Sequence, residues 1–87
     1  MKKWKQMIRN PQQSLSPRTL VEILGRKQVL VEHHRGILRY GTDEIVIGAT
    51  FGMIQISGEG LRLCCMSREQ LFVCGMVRGI TLEGSNE

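Results

Sequence analysis

Short apolar segments, each interrupted by glycine, follow one another along the chain from Val29 to Glu83. Within several segments apolar and polar residues alternate, as in Leu61-Arg62-Leu63, which sends successive side chains to opposite faces. This period of two predicts half-buried β-strands. Turn signals separate the segments at Gly25-Arg26, His34 to Gly36, Gly41 to Asp43, Ser57 to Gly60 and Met66 to Glu69.

The succession of strands and turns predicts an all-β module. We expect five to eight short antiparallel strands in a small meander, sandwich or barrel-like fold over residues 18–83, followed by a frayed tail, 84–87. The segment from Leu71 to Cys74 is apolar on both faces, so it is expected to be the most enclosed strand. A β-solenoid is the alternative, although its stacked rungs need a steadier period than the apolar pairs beginning at Ile45, Ile54, Leu61, Leu71 and Ile80 provide.

Residues 1–17, called the leader below, have a different character. Three apolar residues fall at positions i, i+3 and i+4, which would align them on one side of a helical turn, with basic residues around them. Asn10-Pro11 would end such a helix, and a helix this short is not stable alone in water. We therefore expect a mobile leader that is either a solvated tail or a segment that docks on an anionic membrane or a partner, with nucleic acid as a weaker alternative. The predicted docking residues are Lys3, Trp4, Lys5, Met7, Ile8 and Arg9.

The net charge of +4 is concentrated at the start of the chain. Residues 1–21 hold five basic residues and no acidic one, whereas the remainder holds seven basic and eight acidic residues. The module is therefore close to neutral, and Tyr40, Phe51 and Phe72 lie on separate predicted strands instead of forming a platform for bases. A nucleic-acid-binding β-module is thus the alternative function and not the leading one.

A chain of 87 residues buries only a modest core, so we expect unpaired strand edges to pair with a second copy in a homodimer or larger oligomer. Its three cysteines are an odd number, and no apolar signal region follows the basic start, so a reduced cytosolic chain is expected in place of a disulfide scaffold. Cys64, Cys65 and Cys74 are predicted to pack as small apolar residues. A bond from Cys74 to either of the others would be an oxidation product.

The candidate chemical motifs favour no catalytic function. His33 and His34 are adjacent in a predicted strand, so their rings point to opposite faces and do not favour a shared zinc ion. The glycines form neither a dinucleotide-binding motif nor a P-loop. The carboxylates form no convincing acid–base pair and no nucleophile has a supporting base, so we expect no enzyme, cofactor, metal site or small-molecule substrate.

Three stretches carry a resemblance to a known family: GRKQVLVEHHRGILRY, EIVIGATFGMIQISGEGLRL and EQLFVCGMVRGITLE. They resemble the YabP/YqfC family of sporulation proteins, and VEHHRGILRY is most similar to the YqfC-like branch. The resemblance extends over about residues 18–83. It implies a protein of the mother-cell cytoplasm of a sporulating bacterium that associates with a membrane partner in building the spore envelope. No catalytic residue is transferred with it.

The leading hypothesis from the sequence is a non-enzymatic sporulation factor that self-associates and docks on a membrane or a membrane protein. The nucleic-acid-binding module predicts steeply salt-dependent binding through phosphate contacts. A ligand-binding barrel is a third hypothesis, and it requires a closed apolar cavity.

Overall fold

The computed structural model describes residues 18–84, which form six β-strands and, within that range, no helix. The strands are β1 (Leu20–Leu24), β2 (Gln28–Glu32), β3 (Ile37–Tyr40), β4 (Glu44–Ala49), β5 (Gly52–Met66) and β6 (Gln70–Gly84). They form one sheet in the order β1-β2-β6-β5-β4-β3, and every neighbouring pair is antiparallel. The predicted all-β, antiparallel class is confirmed, and this arrangement replaces the solenoid alternative.

The long hairpin of β5 and β6 organises the sheet. Each of its strands has 15 residues and would measure about 50 Å if straight, yet the longest dimension of the described part is 38 Å. Three register shifts between the two strands, at Ser57/Gly58, Glu59/Arg62 and Leu63/Cys65, supply the bend. The hairpin therefore contributes one half to each side of a sheet that folds over on itself.

Glycine makes this bend possible because the two strands approach too closely for a side chain. A Cβ added to Gly58 would lie 2.0 Å from the carbonyl oxygen of Met76, and one added to Gly75 would lie 2.5 Å from that of Gly60. Gly60 and Gly75 also have φ values of +60° and +130°, which side chains disfavour. The bend thus depends on backbone that only glycine provides.

The shorter strands attach to opposite halves of the hairpin. β2 pairs with β6 at residues 70–74 and carries β1 at its outer side, whereas β4 pairs with β5 at residues 52–57 and carries β3. Their inward side chains meet in one apolar cluster, which shows that the two halves face each other. Its buried members are Val29, Val31, Ile45, Ile47, Ala49, Ile54, Ile56, Leu61, Leu71 and Val73.

A threonine pair joins the ends of the two halves. The backbone N–H of Thr19, which precedes β1, donates to Oγ1 of Thr50 in the β4–β5 turn at 3.1 Å, and the N–H of Thr50 donates back to Oγ1 of Thr19 at 2.9 Å. The Thr19 hydroxyl in turn donates to the carbonyl oxygen of His33 at 2.7 Å. Thr19 is buried, so these bonds replace the water that its backbone would otherwise bind.

Several local predictions differ from the structure. Residues Ser57 to Gly60 were predicted to form a turn between two strands, but they form the bend inside β5. The glycine pattern did not distinguish the two, because glycine is favoured in bulges as well as in turns. The most enclosed strand is β4, whose last five residues are all buried, whereas Phe72 and Cys74 of β6 are half-exposed on the outer face. Two of the six strands are also long where short ones were expected.

Candidate interaction surfaces

The two histidines follow β2 and make contacts with the backbone. His33 adopts φ +57°, the left-handed region, and its N–H donates to the carbonyl oxygen of Glu69 at 2.6 Å. The N–H of Gly36 donates to Nδ1 of His34 at 3.0 Å, which leaves Nε2 to donate to the carbonyl oxygen of Ser67 at 3.2 Å. Both residues thereby connect the end of β2 to the β5–β6 turn, a structural role.

The cysteines lie on the outer face of the sheet, contrary to the prediction that they pack in the core. Cys64 on β5 and Cys74 on β6 form a disulfide, with their Cα atoms 6.0 Å apart, whereas the sequence predicted reduced thiols and such a bond only as an oxidation product. The thiol of Cys65 is free and exposed. The register shift between Leu63 and Cys65 turns this part of β5 so that its thiols face away from the buried Val73. Strict alternation along a straight strand would place Cys64 and Cys65 on opposite faces, so the sequence pattern did not predict this irregularity.

The outer face of β1, β2 and β6 carries both apolar and polar side chains. Val29 and Val31 point into the core, so Leu30 between them points outward, beside Phe72 on the paired strand. Leu20 and Leu24 of β1 flank this pair and are 55% and 40% exposed. Glu22 lies opposite Leu30 and between Leu20 and Leu24, so the apolar surface formed by the four side chains is interrupted by a carboxylate.

The free edge of the sheet at β1 is the second apolar feature. β1 pairs with β2 on one side only, and its other side has no neighbouring strand among residues 18–84. Three of its five side chains are large, aliphatic and at least 40% exposed: Leu20, Ile23 and Leu24. Such an edge offers both unpaired backbone groups and apolar area to another chain.

A depression of about 480 Å³ lies at the bend of the hairpin, next to the β1–β2 turn, and we call it the basic corner. Two cationic side chains, Lys27 and Arg62, lie in its wall together with the exposed side chains of Leu24 and Met76. The remaining lining residues are Gln28, Cys74 and Gly75. The corner thus combines positive charge with exposed apolar surface.

Four other charged groups of the described region form two ion pairs. Arg39 pairs with Glu44 at 3.1 Å, and Arg78 pairs with Glu59 across the bent hairpin. Between Arg18 and Gly84 no three His, Cys, Asp or Glu side chains come together as a metal site would require. The same stretch contains no helix able to cross a membrane.

The docking residues predicted in the leader are Lys3, Trp4, Lys5, Met7, Ile8 and Arg9, and all six lie outside the described residues. Sequence reasoning missed the basic corner. Lys27 and Arg62 are 35 positions apart and meet only because β2 and β5 both pair with β6. The exposed aliphatic residues of β1 could have been found, since Leu20-Val21-Glu22-Ile23-Leu24 has more apolar residues than a one-sided strand needs.

A comparison with models of protein families shows which family the chain belongs to. The model of the YabP family matches residues 16–87, which is the whole β-module and most of the sequence. The chain belongs to the YabP family. Membership in the YabP family fits a role related to sporulation, whereas the assignment to a YqfC-like branch stays a prediction. Neither a curated protein nor a solved structure matches this member of the YabP family significantly.

Proposed function

We propose that the protein is a non-enzymatic, self-associating interaction module that acts with a membrane partner in assembling the spore envelope. The family match supports a role in sporulation, and the free edge at β1 is the main observation that supports self-association. In this proposal the module works in the mother-cell cytoplasm, peripheral to a membrane. The leader is its docking segment, and no catalytic step is assigned to any residue.

The β1 edge supports self-association by its composition and its position. Proteins usually protect a sheet edge with charged residues, proline or bulges, yet β1 has Glu22 as its single charge, and Ile23 beside it is 59% exposed. A small module also gains relatively more from association, because a short chain buries a smaller share of its surface on its own. A second copy added at β1 would extend the sheet by backbone hydrogen bonds.

The proposal is tested in the bacterium by deleting the gene and scoring heat-resistant spores. The deletion should reduce spore formation, and the wild-type gene should restore it. A gene carrying Ile23→Lys should fail to restore it, because a lysine on the edge opposes strand pairing. Leu38→Lys on the opposite edge strand, β3, is the matched control, since Leu38 is equally exposed at 60%.

Two outcomes would contradict the proposal. Normal spore formation in the deletion strain would remove the sporulation role. Full restoration of spore formation by the Ile23→Lys gene, with the variant protein present at wild-type level, would show that the function does not require the β1 edge.

A further inference from the structure

We propose that the basic corner is a docking site for the surface of an anionic phospholipid membrane. This inference rests on the proposed function only in that it requires a module working beside a membrane. It assigns lipid contact to Leu24, Lys27, Arg62 and Met76 of the folded part, in addition to the leader.

The charge of the corner is available to an anion. Lys27 and Arg62 form no ion pair with a carboxylate of residues 18–84, and both side chains are on exposed residues. Arg26 precedes Lys27 in the same turn and adds a third positive charge. Glu59 lies opposite Met76 on the paired strand, but its carboxylate is engaged by Arg78. The local field is therefore positive, and an anionic surface would complement it.

The apolar residues of the corner decide between a lipid surface and a small anion. Leu24 and Met76 are 40% and 45% exposed beside the two cations. A free phosphate would use the charges and leave these side chains in water. A membrane interface offers phosphate to the cations and the boundary of the acyl region to the aliphatic side chains, which suits all four residues together.

The corner is also held in place before it meets a ligand. The N–H of Gly75 donates to the carbonyl oxygen of Lys27 at 3.2 Å, and the N–H of Val77 donates to that of Arg26 at 2.9 Å. These bonds fix the β1–β2 turn against the bent part of β6. A preformed site loses less conformational entropy on binding than a flexible segment does.

The first test is co-sedimentation of the full chain with vesicles of phosphatidylcholine containing phosphatidylglycerol, and with vesicles of phosphatidylcholine alone. Each basic residue near an anionic surface contributes roughly fivefold in affinity, so Lys27→Gln with Arg62→Gln should weaken binding to the anionic vesicles about thirtyfold. The matched control is Arg35→Gln with Arg68→Gln, which removes the same charge from exposed residues outside the corner. The control should weaken binding only slightly.

A leader variant, Lys3→Gln with Lys5→Gln, separates the two docking elements. The loss caused by the corner substitutions should persist in that background, because the corner contacts lipid independently. Circular dichroism and thermal unfolding establish that each variant is folded. Absence of wild-type binding to anionic vesicles, or an equal loss in the corner and control variants, would overturn the inference.

The second test locates the lipid contact directly. Trp4 is the single tryptophan of the chain, so Trp4→Phe with Met76→Trp places one reporter at the corner and outside β1. Brominated lipids in the anionic vesicles should quench its fluorescence strongly, whereas a reporter introduced by Leu38→Trp on β3 should be quenched weakly. Equal quenching at both positions would show that the corner is not the contact. Loss of self-association or of sporulation would leave these readouts unchanged, so the two proposals fail separately.

Discussion

At the scale of single residues, the bend of the β5–β6 hairpin depends on Gly58. A Cβ at this position would lie 2.0 Å from the carbonyl oxygen of Met76, which belongs to the backbone and cannot rotate away. We predict that Gly58→Ala lowers the free energy of unfolding by about 1–3 kcal/mol, because overpacking forces the backbone to shift. Urea denaturation followed by circular dichroism measures this change.

Gly79 of the paired strand, β6, is the matched control for Gly58. A Cβ added there would lie 3.7 Å from Oγ of Ser57, an ordinary contact. Gly79→Ala should leave the free energy of unfolding unchanged or raise it slightly, because glycine in a strand loses more conformational entropy on folding. Equal destabilisation by the two substitutions would show that the close approach to Met76 does not set the bend.

At the scale of elements, Thr19 connects β1 to the β4–β5 turn and to the end of β2. Thr19→Val keeps the shape of the side chain but leaves the N–H of Thr50 and the carbonyl oxygen of His33 without their partner. We predict a loss of about 1–3 kcal/mol in the free energy of unfolding, since two hydrogen bonds are lost and each contributes about 0.5–1.5 kcal/mol. The measurement is again urea denaturation.

Thr19→Ser separates the hydroxyl from the methyl group. Serine retains both side-chain hydrogen bonds, so it should lose far less stability than valine at this position. A serine variant as unstable as the valine variant would show that the methyl group contributes as much as the hydroxyl. A valine variant as stable as the wild type would show that the hydrogen bonds of the threonine pair do not stabilise the fold.

The sequence predicted the elements of this fold better than their arrangement. Alternating pairs such as Ile45/Ile47 and Ile54/Ile56 identified strands correctly, since alternation is a local property. The bend at Gly58 and Gly60 was mistaken for a turn because both require glycine for the same steric reason. The order of the strands in the sheet depends on contacts between residues that are distant in the sequence. The positions of the cysteines and of the basic corner depend on the same contacts, so the sequence did not predict them.

At the scale of the whole molecule, the folded sheet leaves its edges open. β1 and β3 end the strand order, and β6 pairs with β2 only over residues 70–74, so its last residues have a partner on one side alone. Among these edges β1 carries the most exposed aliphatic side chains. Because charge on an edge opposes pairing and apolar area favours it, β1 is the edge that best fits a second copy.

We therefore predict a homodimer, or a larger oligomer, whose sedimentation coefficient falls on dilution in analytical ultracentrifugation. An antiparallel pair centred on Ile23 would place Ile23 against its copy, whereas a pair centred on Glu22 would oppose two like charges. Ile23→Lys should shift the protein to monomer at concentrations where the wild type is associated, and the equally exposed Leu38→Lys should not. A wild-type monomer at all concentrations would contradict self-association. If Leu38→Lys dissociated the oligomer and Ile23→Lys did not, the interface would lie at β3 instead of β1.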